Sequence, residues 1–569
     1  MKVSDYIVEF LVSKGITDVF GYPGGVICHL MDSITKYKDK ICAHTNYHEQ
    51  ARAFAACGYA QASLKPGVAY ATSGPGATNL ITGISNAYFD SIPTIFITGQ
   101  VDTYAAKGEL NVRQRGFQET DIVSMVKSVT KYCVCVESPD KLQEHLEKAY
   151  YYTTTGRPGP VLLDIPADIQ RSEIEPKMKE RCSIESIELE NLQEKAELII
   201  DALKKAERPC FLFGSGIKQS GMVKELRTLL EYANIPVVAS MLAFDVLPYD
   251  HPLNYGFVGA NGHRYANFIL AKSDLVITFG TRLDLKQVSG KREQFAPNAK
   301  LMRVDIDSGE LTYKVRKDEI QILADIKLLI PELLNRLRGT ELKYTEWTSV
   351  CDIIRNKLRG IDYEKYHDFI SAISNKVPDN TVITTDVGHQ QVWVAQAFQV
   401  KEKQSVYFSG GLGSMGYSLP AAIGAHYGTG KPVISISGDG GLQMNIQELQ
   451  FVRRENLPIT IVVINNFALG MIRHFQEMNF NTNYTQTTAD SGYTVPNFEA
   501  ITKAYGLDYY KVKDLEDIEQ ISFNSLKPSL IEVYLPMNTY LYPKFGFNKP
   551  NQDQDPAIDR KLYEYLMAL

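Results

Sequence analysis

A buried strand, a glycine turn, a helical stretch and a second buried strand occur in the same order in two distant parts of the chain. In the first part the strand-like runs are 68–73 and 94–98, and in the later part they are 433–437 and 459–464. The interval from the first turn glycine to the proline before the second strand is 19 residues in one case and 20 in the other. This match predicts that the first and last thirds share an architecture, although any two βαβ units resemble each other at this level.

Short β-branched runs alternate with helix-like segments along the chain, which favours an α/β fold with mainly parallel sheets. The chain has 569 residues, enough for about three or four domains. The charged stretches 173–190 and 336–346 are typical of linkers. We therefore predict three doubly wound parallel-sheet domains at 1–172, 190–338 and 350–545, and a C-terminal tail at 546–569.

Composition excludes several classes of protein. With 60 Lys and Arg against 66 Asp and Glu, the chain lacks the basic footprint of a nucleic-acid-binding protein. No run is long and apolar enough for a membrane helix, and the N-terminal run 7–12 is interrupted by Glu9 and has no basic leader. The eight cysteines are scattered, and Cys133 and Cys135 lack metal-ligand spacing. These features predict a cytoplasmic protein with no nucleic-acid or membrane partner.

The segment 437–441, followed by Asn465 and Asn466, carries the clearest chemistry. A glycine turn directly after a strand lets backbone N–H groups approach a diphosphate closely. Asp439 and Asn466 offer hard oxygen ligands that, with a main-chain carbonyl and diphosphate oxygens, suit octahedral Mg²⁺. The 24 residues between Gly440 and Asn465 allow one helix and one strand, so the two strand ends would lie side by side.

This pattern, Gly-Asp-Gly, about two dozen residues and then Asn-Asn, resembles the fingerprint of the thiamine diphosphate enzymes. A chance match and another magnesium–diphosphate site are the alternatives. Two further positions strengthen the resemblance. Glu49 lies where that family has its activating glutamate, although a surface helix glutamate is the ordinary alternative. Met415 lies where the family has the apolar residue that supports the bent cofactor.

The resemblance implies a mechanism for each position. A protonated carboxyl of Glu49, in an apolar setting, would hold the aminopyrimidine so that its imino tautomer removes the thiazolium C2 proton. The resulting carbanion would attack a 2-keto acid, and the thiazolium would accept electrons as CO₂ leaves. In this family the glutamate and the magnesium–diphosphate site come from different subunits, which implies a homodimer or homotetramer. The implied cofactor-binding positions are Gly24, Gly25, Glu49, Gly388, Gln390, Met415, Gly438, Asp439, Gly440, Gly441 and Asn466, and the implied metal ligands are Asp439, Asn466 and Ala468.

Nearly the whole chain resembles the acetolactate synthase large subunits and their relatives. The motifs that carry this likeness are 20–25, 72–79, 98–101, 116–121 and 156–160. Gln118 would act as a catalytic residue that lines the cofactor and substrate side of the cleft, or it is an ordinary glutamine at a helix start. Lys131 is a weaker candidate for contact with substrate.

The middle third resembles the FAD-carrying domain of that group. Glycine turns would admit a dinucleotide backbone, and an acidic residue past a strand would take a ribose hydroxyl. The alternative is a Rossmann-like spacer without ligand, since Gly-Ser-Gly is an incomplete fingerprint. If FAD binds, its role would be structural, because acyl transfer needs no redox step. The candidate FAD residues are Gly214, Gly216, Gly280, Thr281, Arg282, Asp305 and Asp325.

Several departures from the group concern the acceptor side. His474 and Phe475 replace a Gln-Trp pair that shapes the second-substrate pocket, and the smaller Phe475 would admit a larger acceptor. Arg113 and Arg115 suit an anionic acceptor, or they are solvated surface charges.

Further departures lie elsewhere. The stretch 282–286 differs from the group's flavin motif, and 388–391 differs from its diphosphate loop. The stretches 542–544 and 553–560 resemble relatives from surface-polysaccharide and nucleotide-sugar pathways.

Together these features predict a Mg²⁺- and thiamine diphosphate-dependent carboligase. It would decarboxylate pyruvate and transfer the two-carbon unit to a second carbonyl compound, as acetolactate synthases do. A keto-sugar nucleotide as acceptor and simple decarboxylation to an aldehyde are the alternatives. A catalytically silent scaffold is a further alternative, disfavoured because Glu49, Asp439 and Asn466 are all present.

Overall fold

The computed structural model describes residues 1–176, 191–340, 342–524, 526–546 and 548–569. In this part of the chain there are three six-stranded sheets, and the neighbouring strands of each sheet run parallel. Helices flank each sheet, so the predicted α/β fold with three doubly wound parallel-sheet domains is confirmed. Most of the first predicted linker, residues 177–190, lies outside the described residues.

The first sheet has the strand order β2-β1-β3-β4-β6-β5. Its strands are β1 Asp18–Gly21, β2 Cys42–Thr45, β3 Gly67–Ala71, β4 Thr94–Gln100, β5 Tyr132–Cys135 and β6 Pro160–Pro166. Its helices are α1 Val3–Ser13, α2 Cys28–Lys36, α3 Glu49–Ser63, α4 Pro75–Asn79, α5 Ile81–Phe89, α6 Ile122–Val126, α7 Pro139–Thr154 and α8 Ala167–Arg171. The strands β3, β4 and β6 are buried along their whole length, as expected of apolar central strands covered on both faces.

The second sheet has the order β12-β11-β10-β7-β8-β9, which is the order of dinucleotide-binding folds. Its strands are β7 Pro209–Phe213, β8 Val237–Ala239, β9 Asn254–Phe257, β10 Leu275–Phe279, β11 Lys300–Asp305 and β12 Ile320–Leu323. The helices of this region are α9 Leu192–Lys205, α10 Gly216–Ser220, α11 Val223–Ala233, α12 Arg264–Lys272, α13 Leu285–Val288, α14 Ser308–Thr312, α15 Ile326–Leu337 and α16 Thr345–Leu358. Of the second predicted linker, 336–346, the first two residues belong to the end of α15 and the last two to the start of α16.

The third sheet has the order β14-β13-β15-β16-β18-β17. Its strands are β13 Val382–Thr385, β14 Ser405–Phe408, β15 Val433–Gly438, β16 Ile459–Asn465, β17 Asp508–Val512 and β18 Ser529–Tyr534. The remaining helices are α17 Lys365–Lys376, α18 His389–Ala397, α19 Ser418–Thr429, α20 Asp439–Met444, α21 Glu448–Arg454, α22 Gly470–Asn479, α23 Phe498–Ala504, α24 Leu515–Glu519 and α25 Arg560–Ala568. Counted within each sheet, the first and third sheets have the same strand order, which confirms the architecture predicted from the internal repeat.

Helix α3 of the first domain crosses α19 of the third at very short range. A Cβ atom added to Gly58 would lie 2.1 Å from the carbonyl oxygen of Ala421, and one added to Gly424 would lie 1.8 Å from that of Ala55. Glycine is therefore required on both helices, because any side chain would push the two backbones apart. This crossing attaches the first domain to the third.

The segment predicted as a C-terminal tail contains α25, which packs on the middle domain. Leu566 is fully buried in the core of that domain. Lys272 Nζ donates to the carbonyl oxygen of Met567 at 2.8 Å, and Arg208 donates to that of Leu569 at 3.3 Å. Nowhere in the described ranges is there a helix with the length and apolar character needed to span a bilayer.

Candidate active site

The glycine turn after β15 holds a buried carboxylate with an unused oxygen. Asp439 is 3 % exposed, and burial raises the pKa of its carboxyl to about 6. Its Oδ1 atom accepts hydrogen bonds from the N–H of Gly440 at 2.7 Å and the hydroxyl of Tyr493 at 3.0 Å. Its Oδ2 atom is buried and has no hydrogen-bond partner among the described residues. A buried carboxylate oxygen without a partner is costly, and a bound cation would remove that cost.

Asn466 and Ala468 lie beside this carboxylate because β16 pairs with β15 up to Gly438 and Ile464. The backbone N–H groups of Phe467 and Ala468 lie close enough to Asp439 to lower the pKa that burial raises. The structure therefore brings together the three predicted metal ligands. A carboxylate, an amide and a main-chain carbonyl form the donor set that Mg²⁺ favours, so these residues fit the ion.

Asn465, the first asparagine of the pair, has a different environment. Its Nδ2 donates to Glu532 at 2.6 Å, and its Oδ1 accepts from the N–H of Phe467 at 3.0 Å. Phe467 has a positive φ of 60°, which turns the chain back toward Asp439. Asn465 thus shapes the loop.

Asp386, directly after β13, joins three loops that contain predicted cofactor residues. Its fully buried carboxylate accepts from Gly416 N at 2.7 Å, Ser437 Oγ at 3.2 Å and Gln390 Nε2 at 3.0 Å. A Cβ atom added to Gly388 would lie 2.1 Å from Gln390 Oε1, so the glycine makes room for that amide. Asp386 was not singled out from sequence; its place at the carboxyl end of a strand, two residues before Gly388, is the signal that was available.

Met415 lies over the glycine turn. Its Cε atom is 3.2 Å from the Cβ position of Gly440, and a Cβ atom added to Gly441 would lie 2.4 Å from Asp386 Oδ2. Gly440 and Gly441 therefore leave the space beside Met415 and Asp386 that a bulkier turn would fill.

Glu49 is the first residue of α3, and polar groups hold its carboxylate. Asn79 Nδ2 donates to Oε2 at 3.1 Å, and Arg52 Nη2 lies 3.5 Å from Oε1. The sequence predicts an apolar setting for Glu49, whereas its contacts within this chain are polar. The helix start is held from the third domain, because Glu448 accepts from the N–H groups of Tyr47 at 2.9 Å and His48 at 3.3 Å.

Gln118 and Gly24 contact the turn that follows β3, and this turn also reaches Glu49. Gln118 has a positive φ of 63°, and its Cβ is 2.9 Å from the Cβ position of Gly74. The Cβ position of Gly76, two residues on, is 3.7 Å from Glu49 Oε1. Gly24 packs against Thr72, whose buried hydroxyl has no partner among the described residues, and Gly25 has open space around it.

Asn445 connects the glutamate with the methionine loop. Its Nδ2 donates to the carbonyl oxygen of Gly416 at 2.9 Å and to Gln50 Oε1 at 3.2 Å. Gln50 follows Glu49, and Gly416 follows Met415. The sequence did not indicate Asn445, because its two partners lie 395 and 29 residues away.

Comparison with known proteins identifies the family. Three family models match, described as the N-terminal TPP binding, central and C-terminal TPP binding domains of thiamine pyrophosphate enzymes, at residues 1–125, 196–333 and 386–533. The acetolactate synthase large subunit of Lactococcus lactis is 36% identical over 559 residues, which are 95% of this chain and 93% of the relative. The chain belongs to the acetolactate synthase large-subunit family.

Two other members of the family have similar sequence identity to this chain and similar coverage. The isozyme 2 large subunit of Escherichia coli K12 is 34% identical over 94% of this chain and 95% of its own length. A probable acetolactate synthase large subunit of Methanocaldococcus jannaschii is 34% identical over 95% of this chain and 91% of its own length. The resemblance predicted from the sequence is thus confirmed, and the chain is a thiamine diphosphate-dependent enzyme.

In this acetolactate synthase family member, a cavity of about 670 Å³ is lined by residues of all three domains. This volume is within the range of roughly 300–1,000 Å³ that ligand sites occupy. Six of the seven candidate FAD residues line it: Gly216, Gly280, Thr281, Arg282, Asp305 and Asp325. Gly214 does not line the cavity; a Cβ atom there would lie 2.0 Å from the carbonyl oxygen of Gly280, so this glycine serves close packing of two turns.

The residues of α22 line the same cavity at its other end. Phe475 is 52 % exposed and stands there with Met471, His474 and Met478. The predicted acceptor residue Phe475 and the predicted FAD residues therefore share one continuous space.

The side chain of Lys131 holds a neighbouring loop of the first domain in this enzyme. Its ammonium donates to the carbonyl oxygens of Thr155 at 2.7 Å and Arg157 at 2.6 Å. Burial lowers the pKa of Lys131 to about 8. The loop that it holds contributes Thr155, Gly156 and Arg157 to the cavity wall, whereas Lys131 is not part of that wall. Arg113 and Arg115 are exposed residues of the first domain.

Proposed function

We propose that this enzyme decarboxylates pyruvate and transfers the two-carbon unit to a second 2-keto acid, giving acetolactate when that acid is pyruvate. The observation that carries the proposal is the buried Oδ2 atom of Asp439, which has no hydrogen-bond partner within the described ranges and lies beside Asn466 and Ala468. It supports a magnesium–diphosphate site in a chain whose relatives are named acetolactate synthases.

The residues that would hold the cofactor are those described above. Asp439, Asn466 and the carbonyl oxygen of Ala468 would bind Mg²⁺, and the turn at Gly438, Gly440 and Gly441 would admit the diphosphate. When bound, thiamine diphosphate supplies a nucleophilic carbon and an electron sink for decarboxylation. Gly388 and Gln390 would lie along the diphosphate, because Asp386 holds their loop beside Ser437.

The chain's own catalytic contribution would come from Glu49, Met415 and Gln118. The Glu49 carboxyl would hold a proton against the pyrimidine ring, with Asn79 fixing its other oxygen. Met415 would keep the cofactor bent, since it already stands over the glycine turn. Gln118, held beside Gly74, would contact the substrate near Glu49.

We also propose that FAD occupies the middle-domain end of the cavity in a structural role. The strand order of the second sheet supports this, and so does Asp305, an acidic side chain at the carboxyl end of β11 that lines the cavity and is able to accept a hydrogen bond from a ribose hydroxyl. Purified protein with a flavin absorption spectrum would support FAD binding. A colourless protein that takes up no added FAD would contradict it.

We propose that the enzyme is a homodimer or homotetramer, as the resemblance to its family implies. Apolar side chains are exposed around Gln118, with Phe117 84 %, Tyr104 70 % and Leu110 56 % exposed. We propose that a second copy covers them, so that sedimentation would give at least twice the chain mass of 63.9 kDa. A monomer at micromolar concentration would contradict this. A cytoplasmic location stays a prediction.

Incubation with pyruvate, Mg²⁺ and thiamine diphosphate tests the main proposal. CO₂ release with acetolactate formation would support it. Acetaldehyde alone would indicate a decarboxylase, and no turnover until a keto-sugar nucleotide is added would indicate that acceptor instead. The Glu49→Gln variant should release CO₂ at least about 100-fold more slowly while still binding cofactor. Glu499→Gln is the matched control, because Glu499 also lies in the first turn of a helix but its side chain is 46 % exposed and pairs with Lys503, and it should leave turnover unchanged.

A further inference from the structure

Arg52 is a fully buried cation in the first domain. Its side chain is 1 % exposed, and its Nη1 donates to the carbonyl oxygen of Tyr70 at 3.3 Å. Its Nε and Nη2 atoms have no hydrogen-bond partner in the described part of the chain. A buried guanidinium with unused N–H groups is costly, so another interaction must compensate for its charge.

The compensating charge comes from Glu49. Arg52 lies three residues after Glu49 on α3, and its Nη2 atom is 3.5 Å from Glu49 Oε1. The guanidinium also lies under the ring of Tyr22, 5.5 Å from its centroid. Burial lowers the pKa of Arg52, and among the nearby charges Glu49 opposes that shift most strongly, followed by Tyr70 and Glu448.

We propose that Arg52 is a positioning residue that holds the Glu49 carboxylate in the orientation needed at the cofactor. Asn79 donates to Oε2 from one side, and Arg52 attracts Oε1 from the other. With both oxygens held, the carboxylate cannot rotate freely about its terminal bond, and the geometry for proton exchange with the pyrimidine is set before the cofactor arrives. This inference rests on the proposed function, because it assigns Glu49 to cofactor activation.

The test measures the rate of hydrogen–deuterium exchange at C2 of bound thiamine diphosphate, which reports cofactor activation without turnover. Arg52→Met keeps the length and volume of the side chain and removes the charge. We expect it to slow exchange about ten-fold, with cofactor affinity measured by fluorescence titration changed less than about three-fold. Arg52→Lys, which restores the charge, should recover part of the rate.

A double variant separates positioning from general structural damage. If Arg52 acts through Glu49, then Arg52→Met in the Glu49→Gln background should not slow exchange further. Exchange at the wild-type rate in Arg52→Met, or the same ten-fold loss with and without Glu49, would overturn the proposal. Should Arg52→Met lose its native circular dichroism spectrum, Arg52→Lys alone decides: a slower exchange supports the proposal, and a wild-type rate overturns it.

The same experiment distinguishes failure of the proposed function. If the wild-type protein, with thiamine diphosphate bound, shows no exchange at C2 and releases no CO₂ from pyruvate, the proposed function is wrong. If the wild-type protein exchanges rapidly, Glu49→Gln slows the exchange at least about 100-fold and Arg52→Met does not change it, only the assignment of Arg52 is wrong.

Discussion

The Oδ2 atom of Asp386 accepts a hydrogen bond from the backbone N–H of Gly416 at 2.7 Å. The same carboxylate accepts from Ser437 and Gln390, so one buried group connects the methionine loop, the glycine turn and the start of α18. All three segments contain residues proposed to bind the cofactor. Asp386 is therefore placed to couple their positions without itself being a proposed ligand.

Removal of this carboxylate should weaken cofactor binding. Asp386→Ala leaves the N–H of Gly416 and the hydroxyl of Ser437 without their acceptor, so the three loops lose their common anchor. We expect the affinity for thiamine diphosphate to fall about 10- to 100-fold, measured by fluorescence titration at saturating Mg²⁺. Asp379→Asn, an exposed aspartate near the start of β13, is the control and should bind normally. Normal binding by both variants would show that the loops hold their positions independently.

Glu448 of the third domain accepts hydrogen bonds from the first domain, and its contribution to the stability of the protein should depend on pH. Burial raises the pKa of this carboxyl from 4.5 to about 7, even though hydrogen bonds from Asn46, Tyr47 and His48 act in the opposite direction. Because the folded-state pKa lies above the unfolded one, the native state loses up to about 3 kcal/mol as the pH rises from 4.5 through 7.

Glu448→Gln removes the ionisation and should flatten this dependence. The variant loses one hydrogen bond at every pH, which changes its stability by a constant amount. The informative quantity is therefore the change in stability with pH, not the difference at a single pH. We expect the urea midpoint of the variant, relative to wild type, to increase between pH 5 and pH 8. A difference that is constant over this range would contradict the raised pKa.

The crossing of α3 and α19 should not tolerate a methyl group. Gly424→Ala would place a Cβ atom 1.8 Å from the carbonyl oxygen of Ala55, a backbone atom that cannot move alone. We expect a loss of at least about 2 kcal/mol, seen as a lower thermal midpoint. Gly290→Ala is the control, because nothing lies within 4 Å of its added Cβ, and it should be nearly neutral. Equal midpoints for the two variants would show that the helices can separate without cost.

Phe475 should influence the choice of acceptor more than activation of the cofactor. Its ring lines the cavity and is half exposed, so Phe475→Ala enlarges the apolar space at that end. In competition between pyruvate and a longer 2-keto acid, we expect the share of the longer product to rise about three- to ten-fold. Tyr510→Ala, on the exposed side of β17, is the control. An unchanged product ratio, or an equal loss of C2 exchange, would place Phe475 outside the acceptor site.

Much of the fold was predictable because strand signals are local. The runs 433–437 and 459–464 became β15 and β16 within one residue at each end, and the spacings of 19 and 20 residues in the two βαβ units correspond to the same strand order in the two sheets. The predicted metal ligands Asp439 and Asn466 meet for the same reason, since parallel strands end at one edge of a sheet.

The residues that hold the site together were not predictable in this way. Asp386 and Glu448 look like ordinary acids in sequence, and their partners lie at separations from 4 residues to about 400. The sequence does not indicate that Arg52 is buried. Glu49 and Arg52 are three residues apart on a helix, and such pairs are equally common on exposed helix surfaces. Such contacts depend on how the domains pack, which periodicity does not encode.

The position of α25 has a consequence for the order in which the chain is made. The core of the middle domain includes Trp347 on α16 and Leu566 on α25, whereas its last strand ends at Leu323. The ribosome must therefore synthesise the whole third domain before the middle domain can bury the last part of its apolar surface. During synthesis the middle domain would wait, partly uncovered, for residues translated more than 240 positions after its final strand.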